Sequence, residues 1–210
     1  MKIEVNNLKK DFKNINILHD VNIKFSEGKI YGIIGRNGSG KSVFLKMLCA
    51  FYQPTSGEIL FDGENIIKNK KFPPSTRALI EKPSFLNDLT GFENLKMLAE
   101  IQNQISDKEI LASCENVNLG NDIDKKFALY SLGMKQKLGI AQVIMEDPKI
   151  MIFDEPFNGI ENKTAEKLRK YLIDIKKDKI IIIASHIKED IQDMADVVFE
   201  FDDGTIKKVS

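Results

Sequence analysis

Along the first part of the chain apolar and polar residues alternate. Ile3 and Val5, then Val21, Ile23 and Phe25, take every second position, the spacing of strands with one face on a core and one in water, and predict an antiparallel edge sheet. The texture changes at Ile30-Tyr31-Gly32-Ile33-Ile34. This continuous apolar run predicts a strand covered on both faces; it enters Gly35-Arg36-Asn37-Gly38-Ser39-Gly40, after which Val43, Phe44, Met47 and Leu48 recur at helical spacing. Ser56 to Gly63 reads as a strand closed by an Asp-Gly turn. From Asn94 to about Leu119 the apolar positions fit helices, as do Met134, Leu138, Ile140, Ala141, Val143 and Ile144. Two more continuous apolar runs, Ile150 to Phe153 and Ile180 to Ala184, predict buried strands with a helix around Ala165 to Ile175 between them. Val197 to Phe201, Asp203-Gly204 and Ile206 predict a terminal hairpin.

These elements add up to an α/β fold: a parallel sheet with flanking helices, an N-terminal antiparallel patch, and a helical insertion over roughly residues 83–147, all within one domain spanning 1–210. With 210 residues, 42% hydrophobic and 30% charged, the chain can bury a core of its own. Its 31 basic and 31 acidic residues cancel, so no broad basic field gathers nucleic acid, and none is expected as a partner. Ile180 to Ala184, the longest aliphatic run, falls far short of the roughly 18 residues of a membrane span. Met1 to Val5 lacks the pattern of a secretory signal, and a cytoplasmic location is expected. Cys49 and Cys114 have no metal-binding spacing and read as buried thiols; with His19 and His186 the only histidines, a histidine-rich metal site is not expected.

The chemistry is concentrated at the ends of the apolar runs. Gly35-Arg36-Asn37-Gly38-Ser39-Gly40-Lys41-Ser42 matches G-x-x-x-x-G-K-[ST] between a predicted strand and helix. Glycines let successive amides point into one concavity, the helix N-terminus adds its positive end, Lys41 reaches β- and γ-phosphates, and the Ser42 hydroxyl can ligate Mg²⁺. Further on, the run from Ile150 ends in Asp154-Glu155, at the sheet edge where α/β folds place ligands. Neighbours on a strand face opposite ways, so Asp154 can hold Mg²⁺ while Glu155 orients or deprotonates a water. The acids could equally be two solvated carboxylates. His186 follows the run from Ile180 at the same kind of edge; it reads as a γ-phosphate sensor or as a histidine satisfied at a strand end.

With Tyr130-Ser131-Leu132-Gly133-Met134-Lys135-Gln136-Lys137 added, the set resembles the nucleotide-binding subunit of ABC transporters over essentially the whole chain. In that family a Leu-Ser-Gly-Gly-Gln signature opens a helix shortly before the carboxylate strand; here its serine and second glycine are Ser131 and Gly133. Without the resemblance, Ser131 reads as a helix N-cap. The resemblance implies ATP and Mg²⁺ as ligands of a P-loop NTPase core. It implies nucleotide contacts from Phe12, where the family stacks an aromatic on adenine, and from Gly35, Arg36, Asn37, Gly38, Ser39, Gly40, Lys41, Ser42 and Val43. Catalytic roles fall to Lys41, Glu155 and His186. Metal contacts fall to Ser42, Asp154 and Glu81, which stands where the family carries glutamine. Phe12 on its own also fits edge-sheet packing.

The same resemblance implies a head-to-tail homodimer, or pairing with a related ATPase subunit, in which Ser131 and Gly133 reach the γ-phosphate held by the other copy. Asn158-Gly159-Ile160-Glu161 then lies in the loop that crosses between copies. It further implies a separate membrane permease, docked near Glu81 to Thr90 and the helical insertion, that holds the chain on the inner face of the membrane. The Glu81 loop and the Ser-Leu-Gly-Met signature resemble the branch serving export of bacitracin and lantibiotic-type peptides. A regulatory subunit that binds nucleotide without turnover, or a non-transport ABC ATPase, are the competing expectations.

Overall fold

The computed structural model describes residues 1–13 and 15–209. Two sheets form. The smaller is antiparallel, in the order β2 (Ile15–Ser26), β1 (Lys2–Phe12), β4 (Ser56–Phe61), β5 (Glu64–Asn65). The larger runs β10 (Thr205–Lys208), β9 (Val197–Asp202), β3 (Lys29–Ile34), β8 (Ile180–Ser185), β7 (Ile150–Asp154), β6 (Thr76–Leu79). All of its pairings are parallel except that of β10 with β9. Parallel neighbours need crossovers: the helices between β6 and β7 join that pair and α5 (Asn162–Ile175) joins β7 to β8, while α1 (Lys41–Leu48) follows β3 and leads to the small sheet.

Strand periodicity divides the core. Ile150, Ile152, Ile180, Ile182 and Ala184 face one cluster with Phe44, Leu45 and Leu48 of α1 and the inner residues of the small sheet. Met151, Phe153, Ile181 and Ile183 face the other, with the helices from α2 onward. Every residue of β7 and β8 is buried, which is why those runs show no polar alternation. The Asp-Gly turn after β4 forms with both residues at positive φ, +48° and +87°, and a second such turn, Asp203-Gly204, joins β9 to β10.

Between β6 and β7 the chain builds α2 (Gly91–Gln102), α3 (Asp107–Asn116) and α4 (Leu132–Ile144). Thr90 with Glu93 and Ser106 with Glu109 form capping boxes at the starts of α2 and α3. Buried Asn94 clips residues 86–90 onto α2, accepting from the Leu86 amide at 2.9 Å and donating to the Leu86 and Thr90 carbonyls at 3.0 and 2.9 Å. Among the described residues no helix is long and apolar enough to cross a membrane. Burial pushes the Cys49 thiol up to about 12 and Cys114 up to about 11, so both are inert thiols at neutral pH.

Candidate active site

β3, β7 and β8 end side by side, and each delivers one part of the site. After β3 the chain turns through Gly38 at φ +82° and Gly40 at φ +105°, a left-handed region that favours glycine. A Cβ on Gly40 would also lie 2.9 Å from Leu18 Cδ2. Among the described residues no side chain caps α1, so its first amides remain as donors to an anion. Lys41, only 5% exposed, donates from Nζ to the carbonyls of Gly35 at 2.6 Å and Arg36 at 3.0 Å. Burial pulls its ammonium below the ordinary lysine range, while Glu155 and Asp154 pull it back up. Among the described residues the buried Ser39 hydroxyl has no hydrogen-bond partner, which suits a polar ligand in the loop. Arg36 and Asn37 are exposed, with Arg36 paired to Asp202 at 3.0 Å, and Val43 packs partly against the core under α1.

At the end of β7, Asp154 Oδ2 accepts from the Ser42 hydroxyl at 2.6 Å. Burial pushes the Asp154 carboxyl above its ordinary range, with Ser42 opposing. The paired oxygens of Ser42 and Asp154 are hard donors, and this donor set fits Mg²⁺ completed by phosphate and water. Glu81 is placed differently. Its side chain is exposed and turned to Lys46 at the end of α1, with which it forms an ion pair.

Glu155 and His186 meet. Glu155 Oε1 accepts from the His186 backbone amide at 2.9 Å and lies 2.9 Å from His186 Nδ1, while Oε2 is 3.3 Å from the Ser185 hydroxyl. Ser131 caps α4, its hydroxyl accepting from the Met134 amide at 3.2 Å. Gly133 presses on the loop after β7: a Cβ there would lie 2.4 Å from the Gly159 carbonyl oxygen. Lys137 beside Glu161, at 2.7 Å, holds that carboxyl below its usual range. Phe12 ends β1 at 37% exposure, edge-on to Tyr52 with centroids 5.3 Å apart and with Lys10 Nζ 4.6 Å from its ring centre.

Sequence reasoning gave no role to Gln136, whose side-chain amide donates to the carbonyls of Glu155 at 3.0 Å and Pro156 at 3.3 Å. Nor did it single out Tyr52, Asp190 or Arg169. These enter through contacts between distant segments, and no local spacing marks them.

The family model described as "ABC transporter" matches residues 18–158. An uncharacterized ABC transporter ATP-binding protein of Bacillus subtilis (strain 168), YybJ, is 41% identical over 98% of this chain and 94% of its own. The bacitracin transport ATP-binding protein BcrA of Enterococcus faecalis is 37% identical over 93% of this chain, which spans 65% of that relative. The lantibiotic transport ATP-binding protein SrtF of Streptococcus pyogenes is 34% identical over 93% of this chain and 85% of its own. A solved ATP-binding subunit of an ABC transporter superposes with a TM-score of 0.89 at 25% identity, over 100% of this chain and 90% of that one. A family model that matches residues 18–158 and a relative 41% identical over nearly the whole of both chains show that this protein belongs to the ABC transporter family, as an ATP-binding, ATP-hydrolysing subunit.

Proposed function

We propose that this subunit powers export of a peptide antibiotic of the bacitracin or lantibiotic type through a separate membrane permease, with two copies closing head to tail on ATP. The observation that carries the catalytic part is the pairing of Glu155 with His186 beside Lys41 and the Ser42–Asp154 pair. In this reading the amides of residues 35–43 and Lys41 bind the phosphates, and Phe12 stacks on adenine. Ser42 and Asp154 hold Mg²⁺, which when bound neutralises charge on the β- and γ-phosphates. Glu155 takes a proton from the attacking water as its oxygen bonds to the γ-phosphorus, and the bond to the β-phosphate oxygen breaks to leave ADP. His186 orients Glu155 and the transferring group. Because Glu81 is held by Lys46, its metal role would require that ion pair to open.

Ser131 and Gly133 of one copy are assigned to the γ-phosphate on the other, which makes ATP part of the interface and hydrolysis the event that releases it. Names of the bacitracin and lantibiotic relatives support the cargo class. The permease is assigned to a cavity of about 480 Å³ lined by Ile80, Pro83, Phe85, Leu86, Met97 and Leu98, where the Glu81 loop meets α2 within the helical subdomain of residues 83–147. The chain would thereby sit on the inner face of the membrane.

The test is Mg²⁺-dependent ATP hydrolysis by the wild type and Glu155→Gln, with molecular size followed in the same samples. Loss of turnover by at least about a hundredfold, with an ATP-dependent dimer accumulating in the variant, is expected. Hydrolysis by Glu155→Gln at the wild-type rate overturns the assignment.

A further inference from the structure

Glu155 has a φ of +53°, the left-handed region, which strains a non-glycine residue and persists only where neighbours hold it. Its amide donates to the Ala184 carbonyl at 2.9 Å, and Gln136 holds its carbonyl. The side chain is held from β8. Ser185, fully buried, has its hydroxyl 3.3 Å from Glu155 Oε2 and 3.1 Å from Asp190 Oδ2. That hydroxyl carries one proton and cannot donate to both carboxylates at once.

Asp190 is in turn fixed by one side chain of α5. Arg169 donates from Nε to the Asp190 carbonyl at 3.2 Å and from a terminal nitrogen to its carboxylate at 3.1 Å. The same guanidinium lies 4.4 Å from the ring centre of Phe157, two residues beyond Glu155. Arg169 therefore grips both segments that flank the carboxylate, and among the described residues it makes no hydrogen bond to Lys41, Ser42 or Asp154.

We infer that Arg169 is a positioning residue for hydrolysis. Through Asp190 and Ser185 it fixes the β8 side of Glu155, and through Phe157 it fixes the loop that follows, so that the carboxylate stays aimed at the attacking water. With Arg169 gone, Asp190 becomes an unpaired, largely buried carboxylate sharing Ser185 with Glu155, and the left-handed residue loses a support. This inference rests on Glu155 being the base.

Steady-state hydrolysis by Arg169→Met, Arg169→Lys and Asp190→Asn, beside Glu155→Gln and the double variant Arg169→Met/Glu155→Gln, tests it. Arg169→Met should lower kcat by about tenfold or more with KM for ATP within about twofold, and its ATP-dependent dimer should be at least as abundant as that of the wild type. Arg169→Lys, which keeps the charge but not the planar fork, should recover only part of the rate. The double variant should be no slower than Glu155→Gln alone, because the effect passes through Glu155. An unchanged kcat, or a loss in the double variant as large as in the single one, overturns the role. If Arg169→Met does not fold, Asp190→Asn, nearly isosteric, carries the same comparison. Glu155→Gln at the wild-type rate removes the base assignment itself, whatever Arg169 does, so the two failures are distinguishable.

Discussion

Lys41 shows how function opposes stability within one side chain. It is almost buried, and burial pulls its ammonium below the ordinary lysine range. A base with a lowered folded pKa costs stability while it is charged, and that cost is present at neutral pH and relieved only as pH rises through the folded value. Lys41→Met should therefore leave the melting temperature without nucleotide unchanged or raised. ATP affinity should fall about tenfold to a hundredfold, the worth of a charge-assisted hydrogen bond of about 1.5–3 kcal/mol. Calorimetric titration beside a thermal melt checks both, and a fall in melting temperature matching the loss of binding would make Lys41 a fold residue first. Lys41 was legible in the sequence because its neighbours in the chain are its neighbours in the loop. Arg169 was not, since its partners Asp190 and Phe157 come to it only through the register of β7 and β8.

The helix α4 joins two parts of the site. Its N-cap Ser131 is exposed, its second residue Gly133 touches the Gly159 carbonyl, and Gln136 one turn on holds the carbonyls of Glu155 and Pro156. Any side chain at Gly133 thus pushes on the loop that follows Glu155, so a variant there mixes an interface effect with an internal one. Ser131→Ala separates them. It should cost about 1 kcal/mol of stability through the lost cap, leave ATP binding by the monomer intact and weaken ATP-dependent dimerisation. Size measurements with and without ATP read this, and an unchanged dimer would withdraw Ser131 from the interface. Elements with a strong apolar pattern, continuous in β7 and β8 and at helical spacing in α5, were legible from the sequence alone. The edge strand β6, only Thr76 to Leu79, was not: four residues carry too little pattern, and pairing with β7 fixes it. The four-residue α6 (Glu189–Gln192) escaped for the same reason.

At the scale of the molecule, one copy presents Asn37, in the phosphate loop, and Leu132, at the start of α4, to solvent. In the proposed head-to-tail pair Asn37 of one copy would face Leu132 of the other, whereas a head-to-head pair would bring Asn37 against Asn37. Cysteine pairing distinguishes the two. Cys49 and Cys114 are buried with strongly raised thiol pKa values, so they stay silent under mild oxidation. In the Glu155→Gln background, Asn37→Cys/Leu132→Cys should cross-link into a covalent dimer with ATP and not without it, and Asn37→Cys alone should not. Cross-linking of Asn37→Cys with itself would replace the head-to-tail arrangement by a head-to-head one. Cross-linking of the pair that ignores ATP would mean that the interface forms without the nucleotide, and hydrolysis would then lose its part in opening the dimer.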